Sequence, residues 1–244
     1  MPETWLITLA VFLMAWLYSS VGHGGGSGYL AAMALLGMSA TVMRPTALIL
    51  NLLVAGIATI QFARSGYFAW RVFWPFALTS VPLAFIGGSV KLPGNLYKQL
   101  VAAALIFAAA RLFIAARANN NSLTEPPPIL LALAVGAVLG FVAGLTGVGG
   151  GIFLSPLLLL FRWADTRQTA AVSAAFIWVN SAAGLAGQTA QLSFLPGTVV
   201  AWAIAASLGG VLGSELGRKK LDTTTLRRLL AFVLLIAGVK LLFT

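Results

Sequence analysis

The chain alternates long apolar runs with short polar breaks, and the runs have the length of a bilayer crossing. About 20 apolar residues are needed to cross the hydrocarbon core as a helix. Stretches that meet or nearly meet this length are residues 4–21, 45–63, 67–90, 97–116, 129–146, 168–189, 196–216 and 226–243. Two shorter apolar stretches, 28–43 and 151–163, each follow a cluster of glycines. They are too interrupted for full spans and predict half-helices or re-entrant pieces. The pattern therefore predicts an all-α, polytopic integral membrane protein with eight long hydrophobic segments and two short ones.

The pattern also repeats. Gly22-His23-Gly24-Gly25-Gly26 matches Gly147-Val148-Gly149-Gly150-Gly151, and a segment centred on Asn51 matches one centred on Asn180. Gly87-Gly88 pairs with Gly209-Gly210, and Leu96 to Phe113 aligns with Leu226 to Phe243. One polar stretch, Arg117 to Pro128 with its asparagines and prolines, divides the chain almost in half. The organisation read from this is an N-terminal membrane repeat over 1–116, a linker over 117–128 and a C-terminal membrane repeat over 129–244. Duplicated halves are the signature of transporters, whose substrate sites lie near the midplane between the repeats. Lys and Arg favour the cytoplasmic side. The loop holding Arg218, Lys219, Lys220, Arg227 and Arg228 is therefore cytoplasmic, and five crossings per half give the larger bias. That count makes the repeats inverted. It places Arg44, Lys91, Lys98 and Lys240 on the outer side, together with the N-terminus.

Composition narrows the function. Of 244 residues, 60% are hydrophobic and 8% are charged, against about a quarter charged in a soluble domain. This excludes a soluble enzyme, a disordered chain and a nucleic-acid-binding domain. The net charge of +10 comes from basic residues scattered between apolar runs, which read as membrane anchors rather than a phosphate-binding patch. With no cysteine and one histidine, thiolate and multi-histidine metal sites are excluded. Glu3 and the missing cleavage site make residues 1–21 a first membrane segment rather than a signal peptide. The five acids, Glu3, Glu125, Asp165, Glu215 and Asp222, all fall at ends or in loops. Carboxylate-based proton relay or cation pumping is therefore not expected, and no cofactor or metal is called for.

The glycine clusters are the strongest candidate site. A helix that starts inside the membrane points free N–H groups and the positive end of its dipole at whatever lies there. Two such ends suit an anion, without Lys or Arg in the membrane. The candidate binding residues are Gly24, Gly25, Gly26, Gly149, Gly150, Gly151, Asn51, Asn180 and His23. Asn51 and Asn180 are mid-segment amides that either donate to a substrate oxygen or cap a broken neighbouring helix. His23, whose repeat partner is Val148, is the weakest member and fits a structural donor as well. The spaced series Gly136/Gly140/Gly144 and Gly209/Gly213/Gly217 read instead as close helix packing. Trp70, Trp74, Trp163 and Trp202 read as interface anchors or lipid-facing residues, and Arg71 as snorkelling to the headgroups. Gly25-Gly26-Ser27-Gly28 fits the G-x-S-G pattern of an intramembrane serine hydrolase, a remote alternative, because the only histidine sits in the same loop.

Gly144-Leu145-Thr146-Gly147-Val148-Gly149-Gly150-Gly151-Ile152-Phe153-Leu154-Ser155-Pro156 resembles the hallmark of the TauE/SafE family of sulfite and organosulfonate exporters. Gly22 to Gly26 is its degenerate copy, with His23 as a departure. The resemblance extends to the length, the two halves, the polar linker and the basic loop before the last helix. It implies export of sulfite, sulfoacetate or another organosulfonate across a bacterial inner membrane, by a multi-pass protein that is not an enzyme. The expected partners are a small anionic substrate, the lipid bilayer and a second copy in a homodimer, with no nucleic acid. An anion channel, or a transporter of another small organic anion, is the alternative.

Overall fold

The computed structural model describes residues 2–20, 24–114, 124–189, 195–218 and 223–243. Among these, every regular element is a helix. In chain order they are α1 (Pro2–Ser20), α2 (Gly26–Leu35), α3 (Ala40–Arg64), α4 (Trp70–Ser89) and α5 (Gly94–Ile114). There follow α6 (Ile129–Thr146), α7 (Gly151–Leu160), α8 (Thr166–Ala186), α9 (Val199–Arg218) and α10 (Thr223–Leu242). The all-helical expectation holds for the described residues. Of the eight long segments expected, α3, α4, α6 and α8 are long and apolar enough to cross a bilayer. Within the described residues α1 and α9 contribute shorter apolar helices, Trp5–Ser20 and Val199–Glu215.

The two half-helices are present. α2 and α7 are 10 residues each, about 15 Å at 1.5 Å per residue, or half the hydrocarbon thickness. Glycine is required where they begin. Gly25 (φ 94°) precedes α2, and Gly147, Gly149 and Gly150 (φ 80°, 85° and 80°) separate α6 from α7. All four occupy the left-handed region that a Cβ disfavours. Every residue of α2 from Gly26 to Ala34 is buried, as an apolar surface on all sides requires.

The apolar stretch 28–43 is not one piece. α2 ends at Leu35, Gly37 turns the chain at φ 74°, and α3 starts at Ala40. Arg44 therefore lies inside α3 and is 3% exposed. The expectation of a surface anchor there is corrected: the guanidinium is held within the protein.

The helices interleave across the middle of the chain. α4 packs on α6 and α1 on α9, α4 also meets α8 and α3 meets α9, while α3 crosses α8 and α5 lies along α10. Counting five helices onward turns each of these pairs into another of the set or into itself. Backbone contact between neighbours is made by glycines. A Cβ on Gly136, Gly140 or Gly144 would strike the Phe76, Ser80 and Ala84 carbonyls respectively, so α4 and α6 run parallel. Gly209 and Gly213 do the same against the Phe12 and Trp16 carbonyls of α1. The spaced glycines are packing devices, as their spacing predicts. Trp163 and Trp202 are also buried, at 7% and 2% exposure, which corrects their reading as lipid-facing residues; Trp70, at 62%, fits it.

Gly140→Ala should lower the thermal midpoint of detergent-purified protein, since overpacking costs about 1–3 kcal/mol, or several degrees in a chain of this size. Gly94→Ala, facing open space, should leave the midpoint unchanged. Equal midpoints for both variants would refute the packing role.

Candidate functional site

α3 and α8 cross antiparallel. A Cβ on Gly184 would lie 3.5 Å from Leu48, and one on Gly56 would lie 3.2 Å from Trp178. In that register Asn51 sits across from the Asn180–Ser181 pair. Asn51, Asn180 and Ser181 are each fully buried. Both glycine motifs converge on this crossing. A Cβ on Gly24 would lie 2.9 Å from Ile177 Cγ2 and 3.3 Å from Asn51 Oδ1. One on Gly149 would lie 2.7 Å from the same Ile177 atom, 3.1 Å from Asn51 Nδ2 and 3.2 Å from Ser181 Oγ. The two loops also touch each other, since a Cβ on Gly26 would come within 2.5 Å of the Val148 carbonyl. Gly24, Gly26, Gly149 and Gly151 are thus needed for close approach, on top of the dihedral requirement at Gly25 and Gly150.

α2 and α7 leave this point in different directions. Gly151 contacts Ile177 and the Ser173 carbonyl, and Ser155 Oγ lies 2.8 Å from Ser173 Oγ, so α7 runs antiparallel to α8. α2 ends at Leu35, whose carbonyl accepts from Lys240 Nζ (2.7 Å) at the far end of α10. Their N-termini stay together at the crossing. The N-cap residues, Gly25 and Gly150, have no side chain to cap with. Phe153 N–H donates to Gly150 O (3.0 Å), and the earlier N–H groups of both helices, which have no acceptor within a helix, face the centre.

The carbonyl ends are treated differently. Asn51 Nδ2 donates to Gly147 O and Val148 O, each at 3.3 Å. Tyr97 Oη donates to Thr146 O at 3.1 Å. Arg44 Nε donates to Gly144 O (3.1 Å), one terminal nitrogen to Val90 O (3.0 Å), and the other to Gly87 O, Gly88 O and Gly144 O (2.5, 3.1 and 2.6 Å). One guanidinium thus gathers the C-terminal carbonyls of α4 and α6, where the negative ends of two helix dipoles favour a cation. The sequence reading of a site free of buried Lys and Arg missed this residue.

The sequence-derived candidates therefore divide. Gly24, Gly25, Gly26, Gly149, Gly150, Gly151, Asn51 and Asn180 come together around the α3–α8 crossing. His23 lies outside the described residues. Asn51 organises the opposite glycine loop, whereas Asn180 Nδ2 donates to Phe176 O of its own helix (2.8 Å). Ser27 Oγ donates to Tyr18 Oη (2.9 Å), and Tyr29 Oη donates to Gly24 O (3.0 Å), so two buried tyrosines brace the first motif. Asn51 Oδ1, Asn180 Oδ1 and Ser181 Oγ are buried without a hydrogen-bond partner.

Arg44→Met should destabilise the purified protein by about 3 kcal/mol or more, because hydrogen bonds to a charged group contribute about 1.5–3 kcal/mol each. Arg44→Lys, with three donors on one nitrogen, should recover part of that loss. Thermal unfolding in detergent checks both, and a wild-type midpoint for Arg44→Met would refute the clasp.

The family model described as Sulfite exporter TauE/SafE matches residues 7–241. The chain is 41% identical over 240 residues to the probable membrane transporter protein y4hK of Sinorhizobium fredii, covering 97% of each chain. It is 25% identical over 226 residues to the probable membrane transporter protein ORF9 of a Sinorhizobium species, covering 86% of this chain and 84% of that one. Over 119 residues it is 29% identical to the probable membrane transporter protein YunE of Bacillus subtilis, covering 46% and 41% respectively. No solved structure matches it. Half-helices that begin at paired glycine loops thus belong to a chain that the family model spans almost from end to end, and this membrane-embedded protein is a member of the TauE/SafE sulfite exporter family of transporters.

Proposed function

We propose that the protein exports a small sulfur-containing anion, sulfite or an organosulfonate such as sulfoacetate, across a bacterial inner membrane, as a transporter and not an enzyme. One observation carries this reading. At the α3–α8 crossing the protein supplies donors for the exposed carbonyls but no side-chain cap for the N–H groups of α2 and α7. An oxyanion between the two N-termini would accept those hydrogen bonds and would sit at the positive ends of both dipoles. The family match agrees in the sign of the substrate's charge.

The two halves, 1–116 and 129–244 with the linker 117–128 between them, act in this reading as inverted repeats. The support is geometric. α3 and α8 are equivalent in the repeat and run antiparallel, and a two-fold axis that relates antiparallel spanning helices lies in the membrane plane. With helix directions alternating through the chain in this reading, Arg64, Arg71, Arg162 and Arg167 would share the cytoplasmic face with the basic loop at 217–228, and Lys91, Lys98 and Lys240 would lie at the other. α2 then runs from the midplane to the outer face and α7 from the midplane to the inner face. In the present conformation the loops are in contact at Gly26 and Val148, so the transport cycle has to part them to admit the anion. The inside-negative potential would drive a monoanion outward with about 2.3 kcal/mol per 100 mV, without a coupling ion.

Counterflow of labelled sulfite in proteoliposomes tests the reading. Exchange should saturate and should be competed by sulfite and sulfonates but not by cations. Net efflux should rise with an opposing-side positive potential. Gly150→Ala and Gly25→Ala, each forced into the left-handed region at about 1–2 kcal/mol, should cut exchange at least about ten-fold while the folded protein is retained. Flux that depends on a pH gradient and ignores voltage would exclude the voltage-driven mechanism, and wild-type exchange by both variants would exclude the glycine site.

A further inference from the structure

The polar atoms left over at the crossing specify more than a negative charge. Asn51 and Asn180 each use Nδ2 on a protein carbonyl: Gly147 O and Val148 O for the first, Phe176 O for the second. These acceptors fix the orientation of the amides, because a flipped amide would turn its oxygen toward another oxygen. The atoms that remain are therefore the two carbonyl oxygens, Asn51 Oδ1 and Asn180 Oδ1, both buried and without a partner. Asn51 Oδ1 lies against the start of α2, 3.3 Å from a Cβ on Gly24 and 3.0 Å from one on Gly26. A carbonyl oxygen only accepts. It cannot bind an oxyanion's oxygen, and a buried acceptor left unpaired is costly.

Resting on the transport reading above, we propose that the substrate is a monoanion that carries its own hydrogen-bond donor. Its oxyanion oxygens accept from the first-turn N–H groups of α2 and α7, and its N–H or O–H donates to Asn51 Oδ1 or Asn180 Oδ1. Ser181 Oγ, buried beside Gly149 and also unpartnered, can turn its hydroxyl toward either role. A fully ionised oxyanion, or a sulfonate whose only other group is alkyl, leaves both amide oxygens unpaired. Among sulfur anions this chemistry therefore selects bisulfite and aminosulfonates over sulfate, simple alkylsulfonates and doubly ionised sulfoacetate.

The test compares near-isosteric monoanions at one pH. Amidosulfonate carries N–H donors, whereas methanesulfonate carries a methyl group in the same place. Each is titrated as a competitor of labelled sulfite counterflow by the wild-type protein in liposomes, with sulfate as the dianion control. Amidosulfonate should compete about ten-fold more strongly than methanesulfonate, equivalent to about 1.4 kcal/mol for one satisfied acceptor, and sulfate should compete least. In Asn180→Ala, whose lost amide bond lay within its own helix, the ratio should shrink toward one. Equal competition by amidosulfonate and methanesulfonate in the wild-type protein would overturn the donor requirement and leave the sulfur-anion reading standing. Failure of amidosulfonate to compete would likewise overturn the donor requirement, whereas absence of labelled sulfite counterflow would overturn the sulfur-anion reading beneath it.

Discussion

A helix broken inside a bilayer leaves backbone groups that water cannot reach, and this structure settles the two kinds of group in different ways. Around the breaks, the carbonyls are taken up by the protein itself. Arg44 binds those of Gly87, Gly88, Val90 and Gly144, Asn51 binds those of Gly147 and Val148, Tyr97 binds that of Thr146, and Lys240 binds that of Leu35. The N–H groups that open α2 and α7 receive no side-chain cap. Buried backbone groups in a membrane have to be satisfied. An anion at the proposed site would accept from those N–H groups, while the amide oxygens of Asn51 and Asn180 still call for a donor.

The same contacts show how the centre is held. The glycine series on α6 and α9 bring their backbones against α4 and α1, which builds a frame from parallel pairs drawn from both halves. α3 and α8 cross inside that frame, and Asn51 reaches over the crossing to the loop of the other half. The frame is not symmetric in its charges. Arg44 lies seven residues before Asn51, and the matching position before Asn180 is Ser173, which pairs with Ser155 instead. A cation thus clasps the ends of α4 and α6, while the corresponding place in the second half holds a neutral hydroxyl pair.

Much of this was legible in the sequence, for physical reasons that can be stated. Three adjacent glycines weaken a continuous helix, so Gly24–Gly26 and Gly149–Gly151 marked the breaks. Amides near the centres of apolar runs are costly, so Asn51 and Asn180 marked the crossing. Arg44 was misread because it stands where an apolar run ends and a snorkelling anchor is ordinary. A usable signal existed: Arg44 lies two helical turns from Asn51 and so shares its face. Trp202 was misread in the same way, although Trp202, Ala206, Gly209 and Gly213 fall on one stripe, and Gly209 and Gly213 on that stripe carry the packing on α1. The partner of Asn51, by contrast, had no local signal. A contact between residues 51 and 147 depends on the interleaving of the two halves, which no single segment encodes.

In the proposed mechanism the anion enters between the two glycine loops at the α3–α8 crossing. The natural chain has no cysteine, so a single Ser181→Cys reports on that place alone. Its reaction with a small, membrane-impermeant thiol reagent would be followed in proteoliposomes with and without saturating sulfite. Ser181 is fully buried in the present conformation and lies beside Gly149. Labelling should be slow, with a rate that changes several-fold when the anion is added and no such change with a cation or an uncharged solute. Labelling at one constant rate, under conditions where the protein exchanges sulfite, would place the anion's path elsewhere.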